Sequence, residues 1–222
     1  MKKAPESEYY AFCDQDDVWD DDKLLVAISR LEKFPFSIPA IYYCGQRLVD
    51  SNLNFIANHI IDNKRSDYTN YLISNVAGCT TVFNKKLLDI VNSQSPSFIL
   101  MHDSWIYKVC LAMGGKYYAD PMPHISYRQH SSNVTGIGKG IKAKFKQAYR
   151  YIYVFKIQKQ IENLYLCYGD SMDDKYKELS LGICNYNKSL KSRYRLASNK
   201  AFNFNKKSLN LLVKLKIMFG KL

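Results

Sequence analysis

The sequence predicts an α/β fold, and three observations carry that expectation. Short apolar runs rich in aromatic and β-branched residues alternate with segments of helical periodicity over residues 1–138. A composition of 47% hydrophobic and 14% aromatic residues supports a real core and excludes a disordered polycation. Only 10 glycines and 6 prolines in 222 residues exclude collagen-like and mucin-like chains.

The elements follow in order. Tyr9 to Cys13 reads as a buried strand, and Asp22 to Phe34 as a helix with Leu24, Leu25, Ile28 and Leu31 inward. Ala40 to Val49 reads as extended, Tyr68 to Ser74 as a short helix, Cys79 to Phe83 as a strand and Lys85 to Val91 as a helix. His102 to Met113 has a helical pattern, and Lys116 to Ala119 and His124 to Gln129 predict two more strands. Beyond them, Ile141 to Tyr168, Asp173 to Leu190 and Lys206 to Phe219 read as helices with Lys and Arg outward. In such an alternation, sites lie on loops that follow strand ends.

Charge divides the chain. The formal balance is +12, from 32 Lys+Arg against 20 Asp+Glu, but residues 1–138 carry 13 against 15 and residues 139–222 carry 19 against 5. The stretch Thr135 to Gly140, with three glycines, is a candidate hinge between a unit at 1–138 and a basic, mainly helical extension at 139–222. That extension, with Tyr149, Tyr151, Tyr153 and Phe155 among its basic residues, suits either an anionic membrane surface or a solvated helical face packed on the first unit. Nucleic acid is disfavoured as a partner, because an acidic loop would repel phosphate and no nucleic-acid motif is present.

No apolar run approaches the roughly 18 residues that span a bilayer, and Lys2 and Lys3 are followed by Pro5, Glu6 and Glu8 rather than by an apolar stretch. The expected location is cytoplasmic, peripheral at the inner face of the cell membrane. Six cysteines without a C-x-x-C pair read as reduced core thiols.

The strongest local signal is Asp14-Gln15-Asp16-Asp17-Val18-Trp19-Asp20-Asp21-Asp22, six carboxylates in nine residues after a predicted strand. Such repulsion is offset either by a divalent cation held by Asp14, Asp16 and Asp17, or by the N-terminus of the next helix. Capping suffices for Asp20, Asp21 and Asp22. An EF-hand is excluded by the absence of its Gly and Glu at the required spacing.

The string Tyr10-Ala11-Phe12-Cys13-Asp14-Gln15-Asp16-Asp17-Val18-Trp19 resembles the D-x-D region of bacterial family 2 glycosyltransferases, closest to their rhamnosyltransferase-like branch. Asn75 to Asn84 resembles that family's acceptor-side glycine segment, His102-Asp103-Ser104-Trp105 its [HE]-D catalytic motif, and Tyr127 to Gly136 a later Q-H-x-x-N string. Together these segments cover residues 8–136, in the family's order.

The resemblance implies a GT-A, Rossmann-like mixed sheet and inverting transfer from a dTDP- or UDP-sugar to a saccharide or lipid-linked acceptor, in surface polysaccharide synthesis. Such transfer needs a base for the acceptor hydroxyl, and Asp103 matches the family's base; on spacing alone it reads as an ordinary helix cap. Asp16 matches the ligand of Mn²⁺ or Mg²⁺, with Asp14 as second ligand or on the ribose, Asp17 as its substitute, and His130 as a further metal or diphosphate ligand. Arg128 matches a diphosphate donor, while Gly78, Cys79, His102 and Trp105 fall on the acceptor side. Plain alternatives are a surface His130, a surface-paired Arg128, turn chemistry at Gly78, and core positions for Trp19 and Trp105.

Members of that family carry about 80–100 residues ahead of the D-x-D, half-domain in size, whereas 13 precede Asp14 in this sequence. The expectation is a truncated GT-A fold without its nucleotide-reading half: a fragment of a longer gene, a split enzyme completed by a second chain, or an inactive copy acting as a scaffold.

Overall fold

The computed structural model describes residues 4–61, 66–74, 76–129 and 156–222. The alternation of the first half folds into a mixed sheet of β1 (Tyr9–Ala11), β2 (Val18–Trp19), β3 (Ala40–Val49), β4 (Phe55–His59), β5 (Val82–Asn84) and β6 (Lys116–Arg128). Their order is β1-β5-β3-β6-β2, with β4 also on β3; β3 and β6 run parallel and the other pairs antiparallel. The helices are α1 (Lys23–Leu31), α2 (Asp67–Leu72), α3 (Lys85–Asn92), α4 (His102–Ala112), α5 (Ile157–Tyr168), α6 (Asp174–Asn185), α7 (Leu190–Ala197) and α8 (Lys207–Met218).

Strand β3 is buried almost throughout because both sheet faces are covered. Its even positions alternate with its odd ones across the sheet. Ala40, Tyr42 and Cys44 meet α1 through Ala27 and Leu31, whereas Ile41 and Tyr43 enter a larger cluster with α2, α3 and α4. That larger cluster runs on through Ile157, Ile161, Leu164, Ile183 and Ile217, so the basic C-terminal helices share one apolar core with the sheet. The candidate hinge at 135–140 lies outside the described residues.

Two buried side-chain amides of α5 fasten it to the first half. Asn163 accepts from the Ser97 N–H and Oγ and donates to the Phe98 carbonyl, while Gln160 accepts a 2.8 Å bond from Lys108 Nζ on α4. Lys108 is 1% exposed, and burial pushes its ammonium down to about 7.

Several expectations change. In α1 the inward face is Lys23, Ala27 and Leu31, and Leu24 and Leu25 point outward at 41% and 72% exposure. Leu31 is inward as its spacing predicts and Ile28 is half-buried, whereas Leu24 and Leu25 give way to Lys23, whose ammonium has an internal acceptor in the Cys79 carbonyl. Asp20 and Asp22 do not cap α1. Asp20 pairs bidentately with Arg47, and Asp22 bonds His124.

The two strands expected over 116–129 form one, with its register against β3 shifted opposite Gly45, where Pro121 and Pro123 interrupt the ladder. Cys79 sits in a single 3-10 turn, Gly78–Thr80, and the strand starts at Val82. The hairpin strand β4 and the helix α7 were not anticipated.

A methyl group added at Gly45 would lie 2.8 Å from the Pro121 carbonyl oxygen and 3.1 Å from that of His59, both backbone. Gly45→Ala should therefore destabilise the fold by about 1–3 kcal/mol in urea unfolding; an unchanged midpoint would show that the bulge is not tightly packed. Lys108 supplies a second test. Between about 7 and its ordinary 10.5 the unfolded chain binds a proton that the folded chain has released, so this site's contribution to stability rises with pH. Relative to Lys108→Met, the unaltered protein should gain up to about 1.4 kcal/mol per pH unit across that window, and a pH-independent difference would contradict it.

Candidate functional site

The acidic loop lies beyond the C-terminal end of β1, beside the ends of β3 and β6. Arg128, the last residue of β6, holds it there. The Arg128 N–H donates to Asp17 Oδ1 at 3.0 Å, its Nε donates to the Asp16 carbonyl at 2.9 Å, and its Nη1 donates to the Ser51 carbonyl. One guanidinium thus joins the loop after β1 to the loop after β3.

Within the loop, donor atoms of Asp14 and Asp17 converge with Cys79 Sγ, all within 4.8 Å of one another. Asp17 Oδ2 is buried without a hydrogen-bond partner. Burial raises the Asp17 carboxyl above its usual range, against the lowering effect of the Arg128 N–H. A buried carboxylate oxygen without a donor, facing a second carboxylate, is the environment a hard divalent cation relieves. The residues present therefore fit Mn²⁺ or Mg²⁺, with oxygen ligands from Asp14 and Asp17 and a thiol alongside. The side chain of Asp16 is not in this group. His130 lies outside the described residues.

The same turn reaches the second expected centre. Asp103, in the first turn of α4 and 4% exposed, accepts from the Gly78 N–H at 2.9 Å through Oδ2 and from its neighbour Ser104 N–H at 2.6 Å through Oδ1. His102 packs edge-on against Phe12, with ring centroids 4.5 Å apart. A Cβ at Gly78 would fall 2.9 Å from His102 Nε2, which explains a glycine there without any special backbone angle. Gly78 thus touches His102 and Asp103, while the next residue, Cys79, belongs to the acidic group.

Lys23 supports the turn from beneath. It is fully buried, donates a 2.6 Å bond to the Cys79 carbonyl and lies 3.4 Å from the centre of the Trp19 ring. Burial pushes its ammonium down to about 8, with the neighbouring Cys44 and Cys79 opposing. Gln46 reaches the Cys79 sulfur from β3 at 3.6 Å.

No protein-family model matches the chain. It is 28% identical over 153 residues to the dTDP-rhamnosyl transferase RfbG of Shigella flexneri, an alignment covering 63% of this chain. This similarity relates the chain to glycosyltransferases. The match spans about half of that relative, 49% of its length.

The structure brings together Asp14, Asp17, Gly78, Cys79, His102 and Asp103 through one turn. Arg128 is beside them, but its Nε and Nη1 are bound to main-chain carbonyls, so it shapes the loop. Trp105 is the correction: at 3% exposure, packed near Tyr168, it is a core residue with no face open to an acceptor. Lys23 and Gln46 were missed, since a lysine opening a helix and a glutamine in a strand carry no sequence signal of burial. Arg128→Ala should cost about 1–3 kcal/mol in stability, because it removes the charged donors of the Asp16 and Ser51 carbonyls while the backbone N–H that binds Asp17 stays. Amide exchange of residues 14–18 should accelerate more than that of α4, and uniform acceleration would refute a local anchoring role.

Proposed function

We propose that the chain carries the metal-binding and acceptor-side part of an inverting glycosyltransferase. The donor is a nucleotide-diphosphate sugar, dTDP-rhamnose by analogy with the relative. The acceptor is a saccharide or lipid-linked hydroxyl in surface polysaccharide synthesis. The observation that carries this reading is the pair Gly78 and Cys79: adjacent residues that touch the candidate base on one side and the candidate cation ligands on the other.

In this reading a Mn²⁺ or Mg²⁺ ion held there would neutralise charge on the leaving diphosphate. Asp14 and Asp17 hold that cation, with Asp16, on the resemblance, as a further ligand. Asp103 accepts the acceptor hydroxyl proton through a carboxylate whose rotamer is fixed by the Gly78 and Ser104 N–H groups. His102, held against Phe12, forms the wall beside it.

The nucleotide-reading half would pair with the other edge of β1. Among the described residues β1 pairs with β5 alone. A cavity of about 360 Å³ lies beside it, lined in part by Tyr9, Ala11, Leu24 and Ile28. Leu24 and Ile28 of α1 border that edge, apolar surface that an added strand would cover.

The test is donor hydrolysis or transfer from dTDP-rhamnose by the chain with Mn²⁺. Asp103→Asn should lower the rate roughly 10²–10⁴-fold while leaving Mn²⁺ binding, followed by calorimetry, intact. Asp14→Asn with Asp17→Asn should abolish both. Full activity in Asp103→Asn would remove the base from the proposal, and undiminished Mn²⁺ binding in the double variant would remove the metal site.

A further inference from the structure

The outer surface of the C-terminal helices carries a pattern that the shared core does not explain. In α8 the inward residues are Leu209, Val213 and Ile217, each 7% exposed or less. On nearly the opposite side, Leu211, Leu215 and Phe219 repeat at the same four-residue spacing, exposed at 61%, 46% and 71%. A twelve-residue helix with an apolar stripe on both sides has one stripe more than its own fold uses. Helix α7 packs on α8, through Arg193 Nη1 to the Met218 carbonyl among other contacts, and adds Leu190 and Tyr194 at 71% and 69% exposure.

The charges around this stripe have one sign. From Tyr186 to Leu222 there are ten Lys and Arg and no Asp or Glu. On the helical wheel Lys207 and Lys214 fall along one border of the outer stripe and Lys216 along the other. Lys207 and Lys214 are exposed, as is Lys221 beyond the helix end.

We propose that this face of α8, with α7 beside it, docks on an anionic lipid bilayer, lying in the interface with its leucines and Phe219 among the acyl chains and its lysines at the headgroups. Geometry and charge agree on that occupant. A helix of 12 residues, about 18 Å long, is too short to span, and no described helix is long and apolar enough to cross a membrane. A second copy of the chain is a poor fit, because two faces each bordered by Lys207, Lys214 and Lys216 would repel. Nucleic acid would satisfy the lysines and leave the aliphatic stripe in water. An anionic bilayer satisfies both, since apolar burial and headgroup attraction add. The inference does not rest on the glycosyltransferase reading.

The experiment is co-sedimentation of the full chain with vesicles of phosphatidylcholine alone and of phosphatidylcholine mixed with phosphatidylglycerol, alongside a mixed-sequence DNA duplex at the same salt. Binding to the anionic vesicles should exceed binding to the neutral ones at least tenfold, roughly, and fall with salt. Leu211→Ser, Leu215→Ser and Phe219→Ser together should weaken vesicle binding by about tenfold or more. The circular dichroism spectrum and unfolding midpoint should stay the same, because the three side chains face solvent. Lys207→Gln with Lys214→Gln should remove the preference for anionic lipid. Three results would overturn the proposal: equal binding to both vesicle types, full vesicle binding by the triple serine variant, or salt-dependent DNA binding with none to vesicles.

Discussion

The turn Gly78–Thr80 is held by four groups from four elements, and the arrangement of the site depends on it. The Gly78 N–H is bound by Asp103 of α4, the Cys79 carbonyl by Lys23 of α1, and the Cys79 thiol lies against Asp17 of the acidic loop and Gln46 of β3. A backbone turn with little side-chain bulk can approach all of these at once, and a Cβ at Gly78 would lie 2.9 Å from His102 Nε2, so the ring would have to shift. Loss of any one contact leaves a buried polar group without its partner, which is costlier than the contact itself is favourable. The turn therefore couples the α1 side of the sheet to the α4 side.

That coupling works because β3 is covered on both faces. Its alternating side chains enter two different clusters, so the sheet is clamped between α1 and the helices of the other layer. Each fully buried large side chain there contributes roughly 1.5–3 kcal/mol. The acidic loop and Arg128 stand at one end of this clamped sheet, and Arg128 ties neighbouring loops through their main chains. The six carboxylates of residues 14–22 are thereby divided. Asp20 pairs with Arg47 and Asp22 hydrogen-bonds His124, while Asp14 and Asp17 converge on Cys79. The C-terminal helices do not stand apart from this layer. Gln160 and Asn163 grip α4 and the segment before it, so the unit with the excess charge also supports the helix that carries Asp103 in its first turn.

The alternation of strands and helices, the acidic loop after the first strand and the helical character of α4 and α8 were readable in the sequence because they are local, set by side-chain pattern within one element. The ordered motifs also placed Asp14, Gly78, His102 and Asp103 in one site before any contact was known. Other features were not readable. The phase of α1 was misjudged because a hydrophobic count assigns the leucines inward, whereas a lysine with a buried carbonyl and an aromatic ring to bind outcompetes them. Trp105 followed its motif neighbours on paper and its helix phase in the fold, which puts it into the core.

The sequence by itself determined the α/β class, the kinds of residue at the site and the separation of a near-neutral first part from a strongly basic second one, since all of these are properties of composition and local order. The tertiary structure alone decided which carboxylates of the acidic loop meet Arg47, His124 and Arg128 across the sheet and which converge on Cys79, because those partners are distant in sequence. It alone decided, too, that α8 shows an apolar stripe to solvent, since only packing tells which of two equally spaced sets of side chains the core has already taken.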